Sequence, residues 1–176
     1  MRLLVYGFGP YRQFRDNITA RIITALEKQT GVRRFVMPVR FQRRQFIELV
    51  DRFQPEMILG LGQSSRRRIE VESRAKNRRR ARKGDKARPI FRHRREFLLT
   101  TLTIKAGRSV GKSKNAGDYV CNYSMYVLLD EIARRAQPTR FGFVHIPHDY
   151  NQQKALRIVQ RILSQCADLK REKIVR

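Results

Sequence analysis

The sequence is poor in acidic side chains and in cysteine, and it contains no long apolar run. Its 176 residues include 15 Asp and Glu against 40 Lys and Arg, a formal net charge of +25. The two cysteines, Cys121 and Cys166, stand in different contexts, so we expect no disulfide framework and a reducing compartment. No segment approaches the roughly 18 apolar residues of a membrane-spanning helix, and no signal-peptide cleavage pattern follows Met1. We therefore expect a cytoplasmic protein that does not associate with membranes.

Positive charge is concentrated in the middle of the chain. Between Arg66 and Glu96 there are fifteen basic residues and four acidic ones. Such a segment favours non-specific binding of polyanions, namely nucleic acid or acidic protein, through a salt-sensitive grip on phosphate or carboxylate. A solvated surface explains the charge equally well, and no nucleic-acid-binding motif accompanies it.

The length fits a single domain spanning residues 1–176. Apolar patterns alternate between buried strands and amphipathic helices, which predicts an α/β fold with a mainly parallel, twisted open sheet between two helical layers. We predict strands at about 3–6, 34–39, 57–62, 97–104 and 141–146, and helices at about 17–28, 42–54, 121–136 and from 152 onwards. Apart from a short alternation at 69–72, residues 66–95 lose this periodicity and are predicted to form an irregular basic connection.

A cysteine and a histidine lie 24 residues apart at predicted element ends. Cys121 stands where a Gly-containing loop gives way to a helix, and His145 ends a strand-like run. The carboxyl ends of parallel strands border the ligand crevice of an open sheet, so we expect the two side chains to converge. A helix start also favours the thiolate through the helix dipole and free backbone N–H groups. Together the two residues suggest a thiol peptidase, although a lone cysteine or histidine is more often structural.

Four blocks of sequence resemble the pyroglutamyl peptidase I family, which is cysteine peptidase family C15. The blocks are Gly7-Phe8-Gly9-Pro10-Tyr11 with Asn17, the pair Gly62-Gln63, the stretch Glu72-Ser73-Arg74-Ala75-Lys76-Asn77 followed by Ala81-Arg82, and the segments around Cys121 and His145. Their order and spacing extend the resemblance discontinuously from about Leu3 to His148.

The resemblance implies a catalytic triad. It assigns Cys121 as the nucleophile, His145 as the general base and then acid, and Glu72 as the carboxylate that orients the imidazole. Glu70 is the alternative acid, because in an extended segment it points to the same face as Glu72. Arg82 resembles a family arginine near the reaction centre, and it is also one of many arginines in a basic run.

The resemblance further implies a pocket for a flat pyrrolidone ring. Phe8, Tyr11 and Phe14 would enclose the ring, and Asn17 and Gln63 would take part in polar recognition. Without the resemblance, aromatic residues beside a Gly-Pro turn are interpreted as core or rim residues. The histidines and cysteines show no metal-ligand spacing, so we predict no metal and no cofactor.

The expected activity is hydrolysis of the amide bond after an N-terminal pyroglutamyl residue, through a thioester acyl-enzyme. The resemblance also permits a homo-oligomer. The sequence departs from the family pattern after Gln63, where Ser64-Ser65-Arg66 replaces a Gly-rich stretch, and the segment from Ile104 to Asn115 is short. The alternative is therefore a weak or inactive relative that binds RNA or acidic proteins through the basic segment.

Overall fold

The computed structural model describes residues 2–11, 15–26, 32–82, 84–105, 107 and 110–174, with side chains in the last helix described as far as Cys166. Strands and helices alternate along most of this length, as the sequence predicts. The elements are β1 (Leu3–Phe8), α1 (Ile18–Ala25), β2 (Val32–Met37), α2 (Arg43–Phe53), β3 (Met57–Ser64), β4 (Ile69–Glu72), β5 (Arg74–Lys76), β6 (Phe97–Leu99), β7 (Val110–Ser113), α3 (Val120–Arg134), β8 (Arg140–Pro147) and α4 (Gln152–Ile174).

Six strands form one mixed sheet in the order β2-β1-β3-β8-β4-β7. Every neighbouring pair in it is parallel except β4 and β8, which are antiparallel. The prediction of an α/β fold with a mainly parallel sheet is confirmed. The antiparallel pair matters for the site, because it lays β4 alongside the end of β8.

Helices cover both faces of this sheet. On one face, apolar residues of α1 and α4 pack with inward residues of β1, β3 and β8. On the other face, α2 and α3 bury a second apolar cluster that includes Phe46, Leu49 and Val50 of α2. Among the described residues, no helix combines the length and the apolar character that a membrane span requires.

The first helix begins where the sequence predicts. The side chain of Asn17 accepts a hydrogen bond from the backbone N–H of Thr19, which caps α1. A Cβ atom on Gly7 would lie 3.0 Å from atoms of Thr19 and Ile23, so glycine in β1 lets α1 approach the sheet closely. The helix ends at Ala25, where Leu26 is already extended, and so before the predicted end at residue 28.

The basic segment is more ordered than the sequence predicts. It contains β4 and β5, and β5 pairs with β6 in a separate two-stranded antiparallel sheet. The Asn77 side chain bonds to the backbone of Ile90 and Phe91, and the Asn122 side chain of α3 bonds to the backbone of Lys76. Apart from the isolated bridge between Arg79 and Arg88, the described residues between 77 and 96 are irregular chain held by such bonds from side chain to backbone, which leave no apolar periodicity in the sequence.

The predicted strand at 97–104 is also shorter in the structure. Only Phe97–Leu99 is a strand, while Leu102 and Ile104 are buried in irregular chain. A Cβ atom on Gly142 would lie 3.0–3.2 Å from their side chains, so these residues pack where β8 lacks a side chain. Burial in the core therefore accounts for their apolar character without a strand.

One buried carboxylate connects the two helices on the α3 face. Glu131 is only 1% exposed, and it accepts hydrogen bonds from Arg43 of α2 and from Arg134 and Arg135 at the end of α3. Burial by itself raises the pKa of Glu131, but these three bonds outweigh it and lower the pKa to about 2. Glu131 is therefore ionised at neutral pH and stabilises the contact between α2 and α3.

We predict that Glu131→Gln lowers the free energy of unfolding by about 1–3 kcal/mol at neutral pH, because three guanidinium groups lose their anionic partner. A depressed folded-state pKa stabilises the protein above the unfolded pKa of about 4.3, and that stabilisation is lost as the pH falls toward 2. Urea unfolding across this range should therefore show the difference between the two proteins shrinking in acid. The matched control is Glu48→Gln, whose exposed pair with Arg44 should contribute less than about 1 kcal/mol.

Candidate active site

Three strands and one helix meet at the carboxyl end of β8. His145 pairs in register with Gly62 of the parallel strand β3 and with Glu70 of the antiparallel strand β4. The helix α3 begins nearby at Val120, so Cys121 lies in its first turn. Residues from distant parts of the chain are thus brought to one edge of the sheet, as expected for parallel strands.

A buried hydrogen bond joins His145 and Glu72. The distance from His145 Nδ1 to Glu72 Oε1 is 2.7 Å, and the two residues are 4% and 0% exposed. An ionised carboxylate only accepts hydrogen bonds, so Nδ1 carries the proton and Nε2 is left as the basic nitrogen. The ring of Phe143 packs edge-on against the imidazole at 5.1 Å between centroids. The imidazole is therefore fixed in both tautomer and orientation.

Glycine at position 62 lets the thiol and the imidazole approach one another. A Cβ atom there would lie 2.8 Å from Cys121 Sγ and 2.8 Å from His145 Cδ2, so twice that distance, 5.6 Å, is the largest possible separation of those two atoms. His145 Cδ2 is bonded to Nε2, the nitrogen that faces away from Glu72. The predicted convergence of Cys121 and His145 is present in the structure.

The thiol is less acidic than its position at a helix start predicts. Burial raises the pKa of Cys121 to about 12, and the nearby negative charge of Glu72 acts in the same direction, against a smaller lowering by Arg66. The prediction of a lowered pKa from the helix start alone is therefore wrong for this structure. Cys121 rests as a neutral thiol, so a base must take its proton when it reacts.

Arg66 completes the charge network behind the imidazole. Its Nη1 atom donates to Glu72 Oε1 at 2.6 Å and to Glu70 Oε2 at 2.5 Å, and its Nη2 atom donates to the backbone carbonyl of Asn115. Burial tends to raise the pKa of Glu72, but the bond from His145 and the charges of His145 and Arg66 hold that pKa below its ordinary value, helped by Ser113. The carboxylate is therefore ionised at neutral pH.

Glu70 and Glu72 point to the same side of β4 but have different partners. Glu72 contacts the imidazole, whereas Glu70 bonds to Arg66 and Arg68. The Glu72 atom Oε2 is buried and has no hydrogen-bond partner among the described residues. The other oxygen, Glu72 Oε1, therefore makes both side-chain contacts: it bonds to His145 Nδ1 and accepts a hydrogen bond from Arg66.

A cavity of about 420 Å³ opens in front of Cys121 and His145. It brings together most of the residues predicted for the site. Its lining includes Phe8, Tyr11, Asn17, Gln63, Cys121 and His145 from the prediction, together with Val39, Ser64, Ser65, Arg66, Asn115, Ala116, Gly117, Tyr119, Val120 and His148.

Several of these residues also maintain the fold around the cavity. Asn17 is 1% exposed and uses its side chain to cap α1 and to donate to the carbonyl of Gly9. Gln63 Oε1 accepts from the backbone N–H of Ile18, which fixes the direction of its amide. Phe8 is 2% exposed and packs edge-on against Tyr6 in the core. The cavity wall is therefore preformed rather than loose.

One predicted residue in the described part of the chain, Arg82, is not brought into the site. Arg82 is exposed, its backbone N–H donates to Asp85, and it is not among the residues that line the cavity. Phe14 lies outside the described residues. The arginine that does reach the site is Arg66, which sequence reasoning missed because its contacts depend on how β4 lies beside β8. The only signal was its position six residues before Glu72, after the Gly62-Gln63 pair.

No group of three or more His, Cys, Asp or Glu side chains in the described part of the chain is arranged to hold a metal ion. The polar groups near Cys121 instead form a series of neighbours, from thiol to imidazole to carboxylate to guanidinium. This arrangement can transfer a proton from sulfur to nitrogen and stabilise the imidazolium that results.

Comparison with known proteins identifies the family. The family model for pyroglutamyl peptidase matches residues 98–170. The pyrrolidone-carboxylate peptidase of Bacillus cytotoxicus is 32% identical over 82% of this chain and 77% of its own length. The chain belongs to the pyroglutamyl peptidase family. It is therefore a member of the C15 cysteine peptidases, and the resemblance stated from its sequence blocks is confirmed.

More distant relatives extend the match. Pyrrolidone-carboxylate peptidase 1 of Saccharolobus solfataricus is 26% identical over 96% of this chain and 88% of its own length. The pyrrolidone carboxyl peptidase of Thermococcus litoralis superimposes with a TM-score of 0.89 at 21% identity, covering 98% of this chain and 96% of the other. A mutant of the enzyme from Pyrococcus furiosus gives a TM-score of 0.83 at 23% identity, covering 93% and 97%. These two structures show that the fold is shared.

We predict that Gly62→Ala lowers the turnover of a pyroglutamyl amide about 100-fold, because the added methyl group forces Cys121 and His145 out of their alignment. The change is measured as kcat/KM, with a folded circular dichroism spectrum as the check on structure. Gly9→Ala is the matched control, since a Cβ atom there meets Val36 at an ordinary 3.6 Å. Equal turnover by the Gly62→Ala protein would contradict the close approach that we assign to this glycine.

Proposed function

We propose that this protein is a cysteine exopeptidase that removes an N-terminal pyroglutamyl residue from peptides through a thioester acyl-enzyme. The proposal is supported above all by the bond from His145 to Glu72 and by the closeness of Cys121 Sγ to the same imidazole. The family supports the substrate, and the relatives are named as pyrrolidone-carboxylate peptidases.

In the first step, Cys121 Sγ attacks the carbonyl carbon of the pyroglutamyl residue while its proton passes to His145 Nε2. Transfer during the attack suits a thiol whose pKa is raised to about 12, because a free thiolate is scarce at neutral pH. Glu72 holds the Nδ1 proton and stabilises the imidazolium that forms. The bond from His145 and, to a smaller extent, the charge of Arg66 keep the pKa of Glu72 low, so that it is ionised for this task.

In the second step, the tetrahedral intermediate collapses, the C–N bond breaks, and His145 returns its proton to the departing amine. The thioester on Cys121 then remains. A water molecule, deprotonated by His145, attacks this thioester and releases pyroglutamate, and the proton returns to sulfur. The cycle needs no other reactant.

The oxyanion of the intermediate needs hydrogen-bond donors. The first N–H groups of a helix have no partner within that helix, and Cys121 lies in the first turn of α3. We assign stabilisation of the oxyanion to these free backbone N–H groups, including those of Cys121 and Asn122. Arg82, the arginine expected from the resemblance, is exposed outside the cavity and is not needed in this arrangement.

The pyrrolidone ring fits the aromatic side of the cavity. The rings of Tyr11 and Tyr119 lie 5.7 Å apart and tilted by 33°, and Phe8 lines the same space. Since Gln63 Oε1 is engaged by the backbone of Ile18, its Nε2 is the part of the amide suited to donate to the lactam carbonyl. A lactam ring is small, flat and polar at one edge, so it matches this lining.

The alternative function, polyanion binding without catalysis, has less support. A relative that had lost catalysis would not need a buried, ionised carboxylate held against His145, because such a group is costly to bury. We also propose a cytoplasmic location, supported by the two free cysteines, Cys121 and Cys166. The homo-oligomer that the resemblance permits stays a prediction.

We predict that Cys121→Ser lowers hydrolysis of a chromogenic L-pyroglutamyl amide by about 1,000-fold or more, since the hydroxyl is a far weaker nucleophile in this setting. Cys166→Ala is the matched control. That cysteine is buried in the core with α4, so its loss should affect stability but leave kcat per folded molecule unchanged. Absence of turnover in the unsubstituted protein, or equal turnover after Cys121→Ser, would refute the proposed activity.

We predict that Glu72→Gln lowers kcat by about 100- to 10,000-fold, because an amide cannot stabilise the imidazolium and can impose the wrong tautomer on His145. Glu70→Gln should lower kcat by less than about 10-fold, since Glu70 acts on the imidazole only through Arg66. The comparison is made by steady-state kinetics at neutral pH. A larger effect at position 70 than at position 72 would reverse the assignment of the two acids.

A further inference from the structure

A second cavity lies beside the catalytic one and is lined mainly by cations. It has a volume of about 540 Å³, and we call it the arginine cavity. Its lining consists of Phe41, Arg79, Arg80, Ala81, Asp85, Lys86 and Arg88. Four cationic side chains and one carboxylate thus surround a space large enough for several side chains of a ligand.

The framework of the arginine cavity is held in place by backbone pairing. Arg79 and Arg88 form an antiparallel bridge with bonds in both directions, at 2.8 and 2.9 Å. The backbone N–H of Arg80 donates to the carbonyl of Asp118 at 2.6 Å. The cationic side chains therefore project from backbone that is held by hydrogen bonds.

Its wall is shared with the catalytic cavity. The rings of Phe41 and Tyr119 lie 5.3 Å apart, with Phe41 lining the arginine cavity and Tyr119 lining the catalytic one. Asp118, which precedes Tyr119, forms an ion pair with Arg80 at 3.0 Å. One pair of rings thus separates the space in front of Cys121 from the cationic space.

Part of the positive charge is not neutralised within the protein. Arg80 is paired with Asp118, and Asp85 accepts a hydrogen bond from the backbone N–H of Arg82. In the described part of the chain, no carboxylate lies within ion-pair distance of Lys86 or Arg88. The guanidinium of Arg79 lies 5.9 Å from the centroid of the Phe41 ring. An anionic ligand would be attracted to this excess charge.

We propose that the arginine cavity binds acidic side chains of the peptide that follows the pyroglutamyl residue, so that the preferred substrates are pyroglutamyl peptides with Glu or Asp near the cleaved bond. This inference rests on the proposed function. Tyr119 stands only two residues before Cys121 in the chain, and an extended peptide advances about 3.3 Å per residue, so a few residues of substrate lead from Cys121 past Tyr119. Carboxylates match guanidinium groups in geometry and charge.

A peptide fits these observations better than RNA does. Binding of single-stranded nucleic acid relies on exposed aromatic faces on which bases stack. Here Arg79 lies over the ring of Phe41, and Arg43 lies over the ring of Phe91 at 5.3 Å. These cations occupy ring faces that bases would need, while the shared wall connects the charge to a peptidase cavity.

The test compares three peptides, pGlu-Ala-Glu-Glu, pGlu-Ala-Gln-Gln and pGlu-Ala-Lys-Lys, as substrates of the full chain. We expect kcat/KM for the Glu peptide to exceed that for the Gln peptide roughly tenfold at low ionic strength, with the Lys peptide the poorest, and the ratio to fall as salt is added. Equal kcat/KM values for the three peptides would overturn the proposal.

A double substitution, Arg79→Gln with Arg88→Gln, locates the preference. It should bring the Glu-to-Gln ratio of kcat/KM close to one, while Arg79→Lys with Arg88→Lys should largely keep the ratio because the charge remains. The control is Arg157→Gln with Arg161→Gln, an equal loss of charge at two exposed positions of α4, which should leave the ratio unchanged. An equal loss of activity on the Glu and Gln peptides would show a structural effect and overturn the proposal.

Two further outcomes are distinguished by separate measurements. If no pyroglutamyl peptide is cleaved, the proposed function fails, and fluorescence anisotropy with labelled Ala-Glu-Glu and Ala-Gln-Gln peptides still decides whether the cavity prefers acids. If the double Gln variant loses binding of a labelled single-stranded RNA but keeps the Glu-to-Gln ratio, the surface is a nucleic-acid site and the peptide proposal is overturned.

Discussion

The hydrogen bond between His145 and Glu72 depends on the single antiparallel pairing in the main sheet. Since β4 runs against β8, Glu72 lies beside Phe143 in register and its side chain reaches the imidazole at 2.7 Å. A parallel β4 would place the carboxylate elsewhere. Cys121 Sγ then lies within 5.6 Å of His145 Cδ2, the carbon next to the basic nitrogen, and Gly62 of the neighbouring strand leaves room for both side chains. The orientation of the His145 imidazole thus follows from the direction of β4 and from the lack of a side chain at Gly62.

Burial and charge act against each other around this bond. Burial raises the pKa of Cys121 to about 12, whereas the bond from His145 and the guanidinium of Arg66 keep the pKa of Glu72 low despite its burial. At rest, the carboxylate of Glu72 therefore carries a negative charge and the sulfur of Cys121 carries a proton. Proton transfer to His145 moves positive charge toward Glu72, where it is stabilised. The same carboxylate disfavours a free thiolate at rest, which ties thiolate formation to protonation of the imidazole.

Much of this architecture could be predicted from the sequence, but only where local patterns carry the information. Cys121 and His145 stand at element ends that a parallel sheet brings together, and Asn17 precedes a clear apolar stripe, so their placement was predictable. Arg66 was missed because its contacts depend on how β4 lies beside β8. Arg82 was misplaced because it lies in a basic run whose order comes from bonds made by Asn77 and Asn122 to distant backbone. The raised pKa of Cys121 also depends on neighbours from other strands, which the helix start does not reveal.

The most direct test of the account is to trap the acyl-enzyme. A pyroglutamyl ester is mixed with the protein and quenched in acid within the first turnover, and the proteolytic fragments are weighed by mass spectrometry. We expect the fragment containing Cys121 to gain the mass of one pyroglutamyl group, and the adduct to disappear under hydroxylamine, as a thioester should. Hydrolysis that proceeds with no adduct on Cys121, or with the adduct on another residue, would contradict the central claim.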